Sequence, residues 1–85
     1  MSRPQLTKEQ QIENAFTYHK PFGDQPARYE TIRAEAKKFA HFLLANTPPS
    51  REQSVALTSL EESVMWANKA IACNETESTP NAVAA

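Results

Sequence analysis

Apolar residues recur in steps of three and four over two long stretches of this chain, which is the spacing of one buried face on a helix. In the first stretch Tyr29, Ile32, Ala36, Phe39, Ala40, Leu43 and Leu44 form the stripe, with Arg28, Arg33, Lys37, Lys38 and His41 on the other sides. In the second, Leu57, Leu60, Val64, Ala67 and Ile71 follow the same rhythm. The pattern predicts helices over about 25–46 and about 50–73. Asp24 precedes the first as an N-cap, and Pro26 is tolerated in its first turn. Between the two helices, Pro48 and Pro49 push the residues before them out of the helical region. Ser50 with Gln53 forms a capping box that restarts the chain. Each helix would be about 33 Å long at 1.5 Å per residue, and a connection of about five residues forces them antiparallel.

A third, shorter helix is predicted at the N-terminal end, over about 7–16. Thr7 and Gln10 make a capping box there, but only Ile12, Ala15 and Phe16 recur at helical spacing. So thin an apolar face has to lean on another element or another subunit. From Asn74 onward periodicity stops, and 75–85 is predicted to be a disordered tail after a single domain over 1–74.

A hairpin has one internal seam, yet Phe42, Val55, Met65 and Trp66 lie outside or beside the main stripes. A second apolar face otherwise meets water, so self-association is expected. Size points the same way. At 85 residues the chain buries a modest share of its surface, and with one cysteine, Cys73, it cannot close an internal disulfide. The fold class expected is therefore all-α: a short N-terminal helix, a loop, and an antiparallel two-helix hairpin, assembled as a homo-oligomer.

The loop over 17–24 changes the picture. Of seven aromatic residues (four Phe, two Tyr, one Trp), Phe16, Tyr18, Phe22 and Tyr29 fall in or beside it, with Pro21, Pro26 and the only glycine, Gly23. A non-helical segment carrying rings next to Lys20, Arg28 and Arg33 suits a flat, anionic ligand. In it Tyr18 and His19 can offer ring faces to a base, whereas Phe16 and Phe22 serve equally well as lids on the hairpin end. Arg33 and Lys37, four apart, can hold one phosphate, or pair with Glu30 or Glu62 as exposed salt bridges. Ser50 and Arg51 offer a hydroxyl, free N–H groups and a guanidinium to an anion, while Ser50 also caps its helix.

Charge restricts the ligand's size. A net charge of −1 argues against coating long duplex nucleic acid, which requires neutralising many phosphates, and no DNA partner is expected. Catalysis finds no support. Cys73 has no His and acid beside it in the pattern, and Glu61 and Glu62 point to different sides of a helix. His19 and His41 lie on different elements without a third ligand, so neither a metal nor any other cofactor is expected. The free thiol and the short apolar runs predict a soluble cytoplasmic protein that does not enter a membrane.

These residues, taken in order, resemble a known family. Phe16-x-Tyr18-His19, Pro21, Gln25-x-x-Arg28-Tyr29-x-x-Ile32-Arg33, Pro48-x-Ser50-Arg51-Glu52 and Ala56-Leu57-Thr58-x-Leu60-Glu61-Glu62-x-Val64-Met65-Trp66-Ala67-Asn68-x-x-Ile71-Ala72 resemble the phage anti-CBASS cyclic-oligonucleotide sponges over about two thirds of the chain. The resemblance implies a non-enzymatic phage protein, at work in the host bacterial cytoplasm, that sequesters the cyclic di- and trinucleotide messengers (cGAMP among them) of CBASS immunity. It implies a helical assembly, typically a hexamer. Cyclic dinucleotides would lie between protomers near the aromatic segment, and cyclic trinucleotides separately, near a threefold axis. Carried onto this chain, Tyr18 would stack on a base, and Arg33 or Lys37 would meet a phosphate. Phe16, His19, Ser50 and Arg51 complete the ligand-binding set. A rival from another class is a small helical protein-interaction adapter that docks through the Phe42/Trp66 face and has no nucleotide ligand.

Overall fold

The computed structural model describes residues 6–77. They form three helices and, among the described residues, no strand: α1 Lys8–Ala15, α2 Gln25–Asn46 and α3 Arg51–Asn74. The expected all-α order is the one found. Residues 78–85, most of the predicted disordered tail, lie outside the described residues.

Local chemistry sets the ends of these helices. Thr7 closes its capping box: its Oγ1 accepts from the Gln10 N–H at 3.1 Å, and its own N–H donates to Gln10 Oε1 at 2.9 Å. At the other end of the hairpin, Ser50 Oγ accepts from the Gln53 N–H at 3.1 Å, which caps α3. The reciprocal half of the expected box is replaced. Instead of reaching back to Ser50, the Gln53 side chain donates to Thr47 O and Thr47 Oγ1, each at 3.0 Å. The last turn of α2 has exposed carbonyls needing donors, and Gln53 supplies one across the turn. Asn46 and Thr47 supply others, to Phe42 O and Leu43 O.

Asp24 departs from expectation too. It stands at the N-cap of α2 with φ −89° and ψ 5°, outside the extended region that lets a cap side chain reach back, and makes no side-chain cap bond. Its carboxylate instead lies 3.2 Å from Arg28 Nε.

The hairpin seam is shallow. Ile32, Ala36, Ala40 and Leu43 of α2 and Leu57, Leu60, Val64, Ala67 and Ile71 of α3 are all half-buried, and among the described residues no apolar side chain is fully buried. Two members of the expected inner stripe, Phe39 and Leu44, sit outside it, 50% and 52% exposed. The stripe of seven spans more of the helix circumference than one partner helix can cover. Phe39 turns outward and stacks on Phe42, with ring centroids 6.1 Å apart. Val55, Met65 and Trp66 are exposed on α3. Two large apolar surfaces thus remain uncovered on a single chain.

Candidate functional site

The aromatic loop is pinned at both ends to the end of α3. On its N-terminal side, Asn14 of α1 donates through Nδ2 to Cys73 O at 2.9 Å, and the Cys73 thiol approaches Asn14 O at 3.8 Å. His19 Nε2 lies 2.8 Å from the same Asn14 O. A carbonyl only accepts, so Nε2 carries the proton. Thr17 Oγ1 donates to Glu13 O, and the loop thereby folds back over the last carbonyls of α1.

On the C-terminal side the arrangement is built around Gln25, the one fully buried residue among those described, at 2% exposure. Gln25 Oε1 accepts from the Phe22 N–H at 3.1 Å, and the Gln25 N–H donates back to Phe22 O at 3.0 Å. Its Nε2 donates to Glu75 Oε1 at 3.1 Å. Glu75 also takes both terminal nitrogens of Arg28, Nη1 to Oε2 at 3.0 Å and Nη2 to Oε1 at 2.5 Å. This fork is the strongest polar contact type available to a carboxylate. Hydrogen bonding from Arg28, then from Gln25, holds the Glu75 carboxyl below its ordinary 4.5. The same bond to Glu75 raises the Arg28 guanidinium, and burial raises the Tyr29 phenol beside it.

Two corrections follow. Arg28 is not a free cation for a ligand, because Asp24 and Glu75 occupy it. Nor does the tail begin where periodicity stops: Asn74 is the last residue of α3, and Glu75 is held by Gln25 and Arg28. The cause is a contact 47 residues away along the chain, outside any local window.

Held in this way, the loop projects Phe16 and Tyr18 into solvent, 86% and 82% exposed. Phe16 is no lid on its own hairpin, whereas Phe22 is half-buried. Gly23 makes the turn with φ 57°, a conformation costing other residues about 1 kcal/mol or more.

The basic residues lie on the hairpin flank. Arg33 and Lys37 line a groove of about 560 Å³ between α2 and α3, floored by Leu57, Leu60 and Val64. Neither makes an ion pair with Glu30 or Glu62; Glu61 is the carboxylate that shares their groove. Arg33 also borders a second recess of about 350 Å³, with Tyr29, Asn68, Lys69 and Ala72. Asn68 lines it, with its Oδ1 buried and without a donor among the described residues. Lys69 and Asn68 were missed as site residues by sequence reasoning. Glu61, Met65, Asn68 and Ala72 step by four, three and four along α3, but only the docking of α3 on α2 turns that side toward Arg33. A third hollow, beside His19, is lined by Glu9 and Glu13 and is the wrong sign for an anion.

Ser50 and Arg51 stand apart. They lie at the turn end, a full α2 length or about 33 Å from the aromatic loop. The Ser50 hydroxyl accepts from Gln53 and lies 3.0 Å from Pro48 O, while the Arg51 side chain is exposed. A single chain therefore presents the seven candidate residues at three places: Phe16, Tyr18 and His19 on the loop, Arg33 and Lys37 on the flank, Ser50 and Arg51 at the turn.

A family model described as the Acb2/Tad1 hairpin domain matches residues 8–72, all three helices up to the last turn of α3. The chain belongs to the Acb2/Tad1 hairpin-domain family. This is the family of anti-CBASS cyclic-oligonucleotide sponges, and the expected resemblance is thereby confirmed. No curated protein and no solved structure matches the chain. The match takes in the aromatic loop, the basic flank and the Ser50 turn, and it stops three residues short of Glu75. Among the described residues, no group of three or more His, Cys, Asp or Glu could hold a metal ion, and no helix is long and apolar enough to cross a membrane.

Proposed function

We propose that this Acb2/Tad1 hairpin protein is a phage anti-defence sponge that binds the cyclic di- and trinucleotide messengers of bacterial CBASS immunity in the host cytoplasm and leaves them intact. The observation that carries this reading is the fastened loop that leaves Phe16 and Tyr18 four-fifths or more exposed. Rings held out of the protein's own packing, on a loop whose ends are fixed, bind a base at a reduced ordering cost. Each stacked base contributes about 1–3 kcal/mol. Arg33, with Lys37 and Lys69 near it on the flank, supplies cations for phosphates.

The protomer alone does not complete this site. Loop and turn lie about 33 Å apart, too far to enclose one small ring, and the Phe39/Phe42 and Met65/Trp66 surfaces are uncovered. Assembly of several copies, a hexamer on the family pattern, would cover those surfaces and bring the loop of one chain against the flank or turn of another. Inhibition by binding alone works through mass action: messenger held between subunits is withdrawn from its effector.

The test is to incubate the protein with 3′,3′-cGAMP, denature it, and identify the released ligand, alongside sedimentation of the unliganded protein. Intact cGAMP recovered from an oligomer is the expected result. Linear product would mean an enzyme. Absence of binding to any cyclic di- or trinucleotide, together with a stable monomer, would favour the protein-interaction adapter that the exposed Phe42/Trp66 face otherwise supports.

A further inference from the structure

The segment just past the family match does work that the match does not contain. Cys73 O receives Asn14, which is in turn the acceptor for His19, so the incoming side of the loop is tied to residue 73. Glu75 receives Gln25 and Arg28, and Gln25 holds the Phe22 N–H, so the outgoing side is tied to residue 75. Two residues apart at the end of α3, these anchors grip opposite ends of the segment that carries Tyr18. The polar groups involved are half-buried or buried. Elsewhere on the hairpin the ion pairing is slight: Lys38–Glu35 is an exposed pair on one helix and fastens nothing.

We propose that Cys73–Glu75 is a strut that sets the conformation of the aromatic loop, with Glu75 its positioning residue and Gln25 the link that carries its effect to Phe22. The ligand-affinity part of this inference rests on the sponge reading above; the conformational part does not. Both Glu75 carboxylate oxygens are taken by Gln25 and Arg28. Glu75 acts by keeping the Phe22 end of the loop closed on α2, so that Tyr18 is presented in one orientation and little freedom is lost when a base stacks. Affinity for a cyclic dinucleotide is then controlled in part by a carboxylate lying outside the residues that define the hairpin family.

The test uses the full chain with Glu75→Ala, and Glu77→Ala as a control carboxylate two residues further on. Amide hydrogen exchange is measured on the unliganded proteins, and 3′,3′-cGAMP affinity by calorimetry. In Glu75→Ala the Phe22 amide should exchange at least about tenfold faster, the loss of one charged hydrogen-bonded contact, while amides in the middle of α2 and α3 keep the wild-type rate. The same variant should bind cGAMP about tenfold more weakly, and Glu77→Ala should change neither. Unchanged Phe22 exchange in Glu75→Ala overturns the strut. So does acceleration spread evenly over the whole hairpin, which would make Glu75 a general stabiliser. Faster Phe22 exchange with unaltered cGAMP affinity overturns the positioning role. Wild-type protein that binds no cyclic nucleotide would sink the sponge reading, and the exchange data would still decide the strut.

Discussion

The two ends of the hairpin solve one problem, how to close a helix terminus, by opposite means. At the turn end, Gln53 reaches over six residues to Thr47, and every partner comes from the same short stretch of chain. At the loop end, Gln25 and Arg28 reach over about fifty residues to Glu75. Local closure depends on turn chemistry alone and forms whenever the turn forms. Closure at long range requires α2 and α3 to be docked in register first. The loop that carries the exposed rings therefore takes its shape from the docked hairpin.

That contrast can be broken most sharply at Tyr18. Tyr18→Ala should weaken cyclic dinucleotide binding by one to two orders of magnitude, from the loss of about 1–3 kcal/mol of stacking, with helicity by circular dichroism unchanged. Equal binding by the folded variant would remove the loop end's claim to the ligand. Comparable in size, replacing Arg33 and Lys37 together with Ala should cost about 1.5–3 kcal/mol of binding, the range of hydrogen bonds to charged groups, and flatten its salt dependence. Calorimetry at two salt concentrations checks this; Arg33→Ala and Lys37→Ala singly then show which cation is used.

At the turn end the expectation reverses. Ser50→Ala should destabilise the protein by about 1 kcal/mol through the lost cap, seen in urea unfolding. Gln53→Ala should do the same to a similar degree. A drop in ligand affinity from Gln53→Ala would show that the two ends are coupled. The smallest effect is that of acid. The folded-state carboxyl of Glu75 titrates below its ordinary 4.5, so its hold on the loop end is present above that value and is lost as the pH falls through the lowered one. Phe22 amide exchange in wild type and Glu75→Gln, followed downward from pH 5 and corrected for the intrinsic rate, should therefore converge. A constant gap would remove ionisation from the account.

Much of this architecture was legible in sequence because its causes are local. Thr7 with Gln10, Ser50 before Gln53, and the Pro48-Pro49 pair mark helix boundaries through bonds and clashes within a few residues. Errors fall where distant partners decide. Asp24 has the composition of a cap, but its carboxylate sits by Arg28. Arg28 has the position of a ligand cation, but Glu75 takes its fork. Phe39 has the spacing of a core residue, yet the seam is too narrow to hold it. At the candidate site, the exposed rings could be anticipated from Pro and Gly punctuation. Lys69 and Asn68 could not be placed beside Arg33 until α3 was laid against α2.

The only tryptophan in the chain, Trp66, is 62% exposed on the outer side of α3. It gives the molecule an intrinsic optical gauge. Indole emission shifts to shorter wavelength when water leaves it, so a dilution series read at one wavelength would show, without a label, whether chains join. Met65 beside it offers a second, silent position at which the same surface can be altered while the gauge is kept.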